Sequence, residues 1–313
     1  MIDPKDELLH EFKKSEDWIE RYSVNIVDKK SRIYGFADIN FMFHQRKMEF
    51  VWALYCNDNL YTYSNLTDLD VRTNQKLFSD GRVKYKILSP QEKFEVNLKN
   101  DAVHASLMLS GAYPIYVFPL SATAPEQGQV PERVVDLWER YEQRCKVAGS
   151  IAFSKGERKG TTKRIECVGM RKHSWGLRYP NDMSCYSWIT IQFRDMAMDL
   201  TYMELEGRPY SGGFISRRSG NIPIVEVEME LVSLTKDHSS LISTEFSYRD
   251  AQDDRDLIVS RRLHSMEMSV PRNRKGKFVR LRAFSDFTII GTNKKGVGME
   301  EHYISFERLR KID

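Results

Sequence analysis

The chain has 313 residues, 41% of them hydrophobic, and its 48 Lys and Arg against 44 Asp and Glu give a net charge of +4. This composition excludes a disordered segment and lacks the strong basic excess of a dedicated nucleic-acid-binding domain. At about 150 residues per domain, the length predicts two domains. No run reaches the ~18 apolar residues of a transmembrane helix. The charged N-terminus lacks the apolar core of a secretory signal, so we expect a cytoplasmic protein.

Strand patterns dominate the first half of the chain. Alternating apolar, β-branched and aromatic residues fill 32–44, and two further strands flank a turn at Asn57–Asn59. The same patterns predict strands at 83–90, 93–100, 104–113 and 146–154. A strand spacing of about 8–12 residues is typical of an all-β sandwich or barrel.

One helix is predicted over residues 130–145, with a proline in its first turn. Its apolar residues share one face at helical spacing and predict a core-facing stripe of Val134, Leu137, Trp138 and Tyr141. A second, shorter helix is expected before Trp18.

The second half of the chain has the same β-rich character. Its predicted strands are 184–193, 197–206, 212–218, 223–232, 241–250, 261–270, 278–291 and 298–306. In the segment 223–232, Val225, Val227, Met229 and Leu231 alternate with glutamates, which predicts a half-buried antiparallel strand.

The polar, glycine-containing stretch Lys155–Lys163 separates the two β-rich halves. We therefore predict an N-terminal β domain over residues 1–160 and a C-terminal β domain over residues 161–313.

Chemically versatile side chains concentrate in residues 165–180, IECVGMRKHSWGLRYP. Strand alternation places Arg171, His173 and Trp175 on one face, and Arg178 follows closely. A cation, a titratable imidazole and a large π surface are therefore expected to project together.

This segment resembles the G-x-G-x-R-D-H-S-W-G-x-R-D-W motif of the AttH/carotenoid hydratase-like superfamily, and RYEQRCKVAGSIAF resembles the strand that precedes the motif in relatives. The resemblance implies an all-β fold of two consecutive lipocalin-like barrels or sandwiches with one or two short helices. Characterised members include carotenoid hydratases, and fungal pericyclases resemble the family in fold. This chain departs from the motif at Cys167, Lys172 and the pair Tyr179-Pro180, where the motif has Gly, Asp and Asp-Trp.

The resemblance implies a cofactor-independent enzyme that hydrates, dehydrates or cyclises a hydrophobic polyene or terpenoid-like molecule in a barrel or inter-domain cavity. Such chemistry needs an acid that protonates an alkene and a π face beside the resulting cation. The predicted catalytic residues are His173 as proton relay and, as candidate acids, Tyr202, Glu204 and Glu300. The predicted substrate-binding residues are Trp175, Arg171, Arg178 and Trp188.

Two alternatives remain open at this level. A non-catalytic carrier of an isoprenoid or lipid fits the same fold without any acid, and Lys172 in place of the motif's Asp favours it. The motif residues also fit structural roles, with Trp175 and Arg178 closing a barrel floor and His173 satisfied by hydrogen bonds.

No cofactor and no metal site are predicted, because nucleotide-binding glycine motifs are absent and the histidines and four cysteines lack ligand spacing. No G-x-S-x-G nucleophile motif occurs. The basic run from Arg272 to Arg282 is predicted to be a solvated hairpin loop and not a nucleic-acid interface. Peripheral contact with a membrane surface is a second interpretation of this basic run. The sequence predicts no oligomeric state.

Overall fold

The computed structural model describes residues 3–11, 18–69, 75–118, 138–177, 183–269 and 277–309. The chain is built almost entirely of antiparallel strands, as predicted. It divides into two compact units, of which the first comprises Met1–Val117 and Asp136–Arg178 and the second Phe118–Val135 and Tyr179–Asp313.

The first unit is an open antiparallel sheet of eleven strands. These are β1 (Trp18–Asp28), β2 (Ile33–Met42), β3 (Lys47–Cys56), β4 (Asn59–Asp68), β5 (Leu77–Ser79), β6 (Val83–Ser89), β7 (Lys93–Lys99), β8 (Val103–Gly111), β9 (Tyr116–Val117), β10 (Trp138–Phe153) and β11 (Thr162–Leu177). Their order is β4-β3-β2-β1-β11-β10-β8-β7-β6-β5, with β9 paired to β10. The predicted turn between β3 and β4 is confirmed, with Asn57 at φ 55°.

The sheet of the first unit curls around one apolar core. Phe41 on β2 and Phe78 on β5 lie far apart in the strand order, yet their ring centroids are 4.9 Å apart. The Tyr63 hydroxyl on edge strand β4 donates to Asp80 Oδ2, next to β5, at 2.6 Å. The two ends of the sheet therefore meet through side chains, and the inward residues form a common interior.

The predicted helix is wrong over the part that the structure describes. Residues 138–145 begin the long strand β10, in which Tyr141 lies opposite His173 of β11. Pairing with β8, β9 and β11 supplies the hydrogen bonds of this strand and overrides a local helical pattern. Residues 130–137 lie outside the described residues. Before Trp18, the structure describes a short 3-10 turn at Pro4–Glu7, which Asp3 caps.

The boundary between the two units does not lie at the predicted residues 160 and 161, because the first unit extends to Arg178. Residues 155–163 form the hairpin that connects β10 to β11, and the two strands pair from Ala152 opposite Thr162 onward. Both strands lie in the middle of the first sheet, so a polar, glycine-containing hairpin here marks a turn within one unit.

The second unit is a closed barrel in which consecutive strands are neighbours. Its elements are β12 (Met183–Gln192), β13 (Ala197–Leu205), β14 (Arg208–Arg217), β15 (Gly220–Leu234), β16 (Leu241–Asp250), β17 (Arg255–Glu267), β18 (Phe278–Ile289), β19 (Lys295–Ser305) and the short helix α1 (Phe306–Leu309). Inward apolar residues of these strands, such as Ile189, Phe246 and Phe287, fill one end of the barrel.

The alternation predicted for β15 is interrupted. Ile224 is fully buried, whereas Val225 is 40% exposed. The register between β15 and β16 shifts between Ile224 and Glu226, and again between Met229 and Leu231. Such bulges add a residue to one strand and reverse which side chains face the core.

The basic run is only in part a loop. Residues 270–276 lie outside the described residues, and the prediction of a solvated loop is wrong for Arg280 and Arg282. Both belong to β18 and are buried, and both pair with the carboxylate of Glu301 on the neighbouring strand β19. Buried guanidinium groups need such a partner.

Among the described residues, no helix is both long enough and apolar enough to span a membrane.

Candidate functional site

The motif strand β11 brings three predicted site residues together inside the first unit. Arg171, His173 and Trp175 alternate along it, and all three are buried. The ring centroids of His173 and Trp175 are 5.1 Å apart, and Arg171 Cζ lies 5.2 Å from the ring of Tyr141, a neighbour of His173. The alternation seen in the sequence thus places a cation, an imidazole and an indole side by side. Arg178 lies outside the described residues.

His173 hydrogen-bonds through both ring nitrogens. Its Nε2 lies 2.7 Å from Glu20 Oε1, and its Nδ1 lies 2.8 Å from the carbonyl oxygen of Asp6. The Tyr141 hydroxyl is 3.1 Å from the same Nδ1. These contacts fix the orientation of the imidazole from both sides of its ring.

Glu20 is fully buried on β1 and is surrounded by nitrogen donors. His10 contributes its ring Nδ1 at 2.9 Å from Oε1 and its backbone N–H, which donates to Oε2 at 3.0 Å. Burial by itself raises the pKa of Glu20, but the hydrogen bonds and charges of His10 and His173 outweigh it and hold the pKa below its ordinary value of 4.5. Glu20 is accordingly an ionised carboxylate at neutral pH.

Both imidazoles of this cluster lie flat against an aromatic ring. His10 stacks on Trp175 with centroids 3.7 Å apart and an interplanar angle of 14°. His173 stacks on Tyr22 with centroids 3.9 Å apart at 17°. An aromatic face attracts a positive charge, so these rings favour protonated imidazole and any other cation placed against them.

Arg171 is engaged by protein groups. Its Nη2 lies 2.9 Å from Glu7 Oε1, and its Nε donates to Gln143 Oε1 at 2.8 Å. Its Cζ lies 4.3 Å from the ring centroid of Phe94. Burial lowers the pKa of Arg171, but the negative charge of Glu7 outweighs it, and the net pKa lies above its ordinary value. The sequence predicted Arg171 to bind substrate; in this structure it anchors the segment that carries Glu7.

The same cluster is a candidate metal centre, although the sequence predicts none. His10, Glu20 and His173 each present a ligand atom, and these atoms all lie within 4.8 Å of one another. When His173 Nδ1–H donates to the carbonyl oxygen of Asp6, its Nε2 offers a lone pair toward Glu20, which is the usual outer-shell arrangement of a metal-binding histidine. Two imidazoles and a carboxylate suit zinc or iron(II).

The other predicted residues lie in the second unit. Tyr202 and Glu204 on β13 are partly buried and both contact Arg308 of α1. Ser184 Oγ donates to Glu204 Oε1 at 2.6 Å. Burial is the main cause that raises the pKa of Tyr202. With Glu204 paired to a guanidinium and a hydroxyl, its carboxyl is stabilised as an anion and is poorly suited to donate a proton.

Tyr202 and Arg308 line a cavity of about 110 Å³ at one end of the barrel, together with Cys185, Ser187, Met229, Glu230, Val232 and Ile304. At about 30 Å³ per water molecule, the cavity has room for a few waters or a short side group. Pockets for drug-sized ligands are typically about 300–1,000 Å³. The cavity is therefore too small to enclose a polyene.

Glu300 lies deeper in the barrel and is fully buried. Its Oε2 is 3.3 Å from His302 Nε2. Burial raises the pKa of Glu300, but the hydrogen bond and charge of His302, with the hydroxyls of Ser285 and Thr244, outweigh it and lower the pKa below its ordinary value. Glu300 is thus a carboxylate that polarises His302, and it is not held in the protonated form that an acid catalyst needs.

Trp188 forms part of a buried polar contact on β12. Its Nε1–H donates to Asp199 Oδ2 at 2.6 Å, and the indole is 2% exposed. An indole held by a carboxylate in this way is fixed in orientation. The substrate-binding role predicted for Trp188 stays a prediction.

The structure adds residues that sequence reasoning missed. In the first unit these are Glu7, His10, Glu20 and Tyr141, and in the second unit Ser187 and His302. Each reaches its partner through strand pairing or through the docked N-terminal segment, as His302 lies opposite Ser187 in the ladder of β12 and β19. Of these residues, only Tyr141 lies in a sequence pattern that predicts its position, because it alternates with Gln143 and Cys145 as residues on one face of a strand do.

Two all-β units, a curled open sheet and a closed eight-stranded barrel, define a protein of the all-β, lipocalin-like fold class. Within that class, the family described as "Domain of unknown function (DUF7064)" matches residues 3–304, and the chain belongs to this family.

Solved structures share this fold at low sequence identity. An AttH-like protein from Nitrosomonas europaea has 12% identity and a TM-score of 0.72, covering 96% of this chain and 96% of that chain. CghA has 10% identity and a TM-score of 0.66, covering 93% of this chain and 89% of its own. Kievitone hydratase from Nectria haematococca has 9% identity and a TM-score of 0.61, covering 92% and 89%. No curated protein sequence matches the chain.

These matches confirm the lipocalin-like, AttH-like fold that the motif predicts. A fold hosts many functions, so the reaction of this chain depends on its own side chains and not on the shared fold.

Proposed function

We propose that the chain is a cofactor-independent enzyme that protonates an unsaturated, apolar small molecule, with His173 as the acid and Trp175 as the cation-stabilising surface. The observation that carries the proposal is the buried pair of His173 and Glu20, joined at 2.7 Å, beside the indole of Trp175. An acid of this kind in a low-dielectric site is what alkene protonation requires.

In the proposed reaction, protonated His173 gives the proton on its Nδ1 to an alkene carbon after the carbonyl oxygen of Asp6 has moved away with the cover described below. The cation formed at the neighbouring carbon lies against the indole face of Trp175. Water then adds to the cation and returns its proton to His173 Nδ1, which completes a hydration. The reverse order gives dehydration, and attack by an internal double bond gives cyclisation. Glu20 is the positioning residue, because its carboxylate holds the ring of His173 at Nε2.

Residues 3–11 provide the cover of this centre. The carbonyl oxygen of Asp6 accepts from His173, and the carboxylate of Glu7 accepts from the Gln91 backbone and pairs with Arg171. Since His173 is 1% exposed, a substrate reaches it only when this cover opens. In the proposal, Arg171 therefore controls access to the centre.

The named neighbours support the substrate class. Kievitone hydratase is named for adding water to kievitone, and CghA has been solved with the compound Sch210972. The proposed substrates of this chain are hydrophobic polyene or terpenoid-like molecules in the cytoplasm.

The test is turnover of a panel of prenylated phenols and polyenes, including kievitone, in water enriched in heavy oxygen, followed by mass spectrometry. Hydration is expected to add one labelled water to one substrate. His173→Gln and Trp175→Ala should abolish the product, and His104→Gln, an exposed histidine of β8, should keep it. Circular dichroism checks that each variant is folded. Full activity in folded His173→Gln protein would refute the proposal.

A further inference from the structure

A serine, a histidine and a glutamate form a continuous hydrogen-bonded row in the interior of the second unit. Ser187 of β12 lies opposite His302 of β19 in the strand ladder, and its Oγ is 2.9 Å from His302 Nδ1. On the far side of the ring, His302 Nε2 is 3.3 Å from Glu300 Oε2. Glu300 and His302 stand two residues apart on one strand, so both project to the same side.

The row has one end at a cavity and the other in the closed interior. Ser187 lines the cavity of about 110 Å³, whereas His302 and Glu300 are fully buried behind it. A small molecule that enters the cavity therefore meets the serine hydroxyl first. The histidine and the carboxylate are screened from solvent, which strengthens their hydrogen bonds.

We propose that the second unit carries a separate catalytic centre, in which Ser187 is a nucleophile that hydrolyses esters of short acyl groups. His302 is the general base and Glu300 is the positioning residue that orients the imidazole. Such a triad is recognised by geometry and not by a sequence motif, which fits a serine located within a strand. The centre does not depend on the function proposed for the first unit.

The step balances without a cofactor. Ser187 Oγ attacks the ester carbonyl carbon and gives its proton to His302 Nδ1, and His302 passes that proton to the departing alcohol as the C–O bond breaks. Water then attacks the acyl-serine, gives one proton to His302 and releases the acid, and the proton returns to Ser187 Oγ.

One side of the cavity offers a donor for the developing negative charge. Tyr202 lines it and supplies a phenol hydroxyl, which donates to an oxyanion, whereas the guanidinium of Arg308 is paired with Glu204. The volume admits an acyl group of a few carbons, so acetyl and propionyl esters are the expected substrates. Glu300 is ionised, as its lowered pKa indicates, and it stabilises the imidazolium that forms at His302.

The first experiment is covalent labelling of the full chain. The protein is treated with methanesulfonyl fluoride and, separately, with diisopropyl fluorophosphate, and the adduct is located by peptide mass spectrometry. One adduct on Ser187 is expected. It should be absent in Ser187→Ala and unchanged in Ser106→Ala, which removes an exposed serine hydroxyl of β8 in the first unit. His302→Gln should slow labelling by about 10²-fold or more, the usual contribution of a general base.

The second experiment measures hydrolysis of p-nitrophenyl acetate, with a pre-steady-state burst that reports the acyl-enzyme. Burst and turnover should disappear in Ser187→Ala and persist in Ser106→Ala. Thermal unfolding monitored by circular dichroism establishes that both variants are folded. If neither reagent labels Ser187, or if Ser187→Ala hydrolyses the ester at the wild-type rate, the serine is structural and the proposal is wrong. Variants of His173 should leave this activity intact, which separates the two proposals.

Discussion

Breaking the buried ion pair between Arg171 and Glu7 should destabilise the first unit strongly. Arg171 is 1% exposed and Glu7 is fully buried, and the two groups are joined at 2.9 Å and 3.3 Å. In Glu7→Gln the guanidinium stays buried without its counter-charge, and in Arg171→Met the carboxylate does. Removal of one partner of such a pair costs about 3–5 kcal/mol. That is a large part of the roughly 5–15 kcal/mol that stabilises a domain.

The two changes together should cost less than the sum of the single changes, because neither charge is then left buried alone. The apolar side chain introduced by Arg171→Met also retains contact with Phe94, over whose ring the guanidinium of Arg171 lies. The double variant Glu7→Gln/Arg171→Met is therefore expected to recover at least about 1 kcal/mol relative to additivity.

Urea unfolding monitored by tryptophan fluorescence measures these free energies. Four of the five tryptophans belong to the first unit, namely Trp18, Trp52, Trp138 and Trp175, so the signal reports mainly on this unit. The midpoint should fall while the slope of the transition stays constant, which identifies a change in stability and not in the unfolded state. Costs below about 1 kcal/mol, the range of surface pairs, would refute the buried-pair reasoning. Additivity of the two changes within about 0.5 kcal/mol would refute it as well.

Three further predictions follow from single contacts. The pKa of Glu20 is lowered, so its ionised carboxylate contributes fully to stability above about pH 4.5, and this contribution is lost as the pH falls through the pKa of the folded state. The urea midpoint of Glu20→Gln should therefore depend less on pH in that acidic range than the midpoint of the wild type. Gly169→Ala should destabilise by about 1–3 kcal/mol, because its Cβ would lie 2.3 Å from the carbonyl oxygen of Asn25; an unchanged melting temperature would contradict this. Trp188→Phe removes a donor to buried Asp199 and should cost about 1–3 kcal/mol, measured by thermal unfolding, with a neutral result counting against the bond.

Most of the fold is visible in the sequence because strand alternation is a local signal. The strands around 83–90, 93–100 and 104–113 are confirmed as β6, β7 and β8, and each places every second residue in the core. In the second half the strands are confirmed as strands, but bulges interrupt the alternation predicted for β15, and β17 begins at Arg255 and not at the predicted residue 261.

The helix prediction is wrong for residues 138–145 because the apolar spacing of this segment fits two periods. Leu137, Trp138 and Tyr141 match a helical stripe, but Tyr141, Gln143 and Cys145 match a strand face. Local pattern alone leaves such a segment ambiguous. The choice is made by distant partners, since Tyr141 pairs with His173 and Val117 across the sheet.

The candidate site was predictable only in part, for a related reason. The alternation of Arg171, His173 and Trp175 lies within one strand and can be recognised from the sequence. Glu20 and His10 reach His173 from more than 150 positions away, through the register of β1 with β11 and through the docked N-terminal segment. No spacing rule encodes that distance, so the carboxylate that contacts His173 cannot be identified without the fold.

The carboxylate of Glu20 determines which chemistry His173 of the HSWG strand can perform. A histidine with one acceptor is satisfied as a neutral ring, and the motif would then be structural. Here His173 lies between the carbonyl oxygen of Asp6 and the carboxylate of Glu20, so an acceptor faces each of its ring nitrogens. Glu20→Gln keeps the shape and the backbone contact of His10 but removes the negative charge that favours imidazolium. Loss of turnover in a folded Glu20→Gln protein would therefore assign the role to the proton, whereas loss in His173→Gln alone would assign it to the ring.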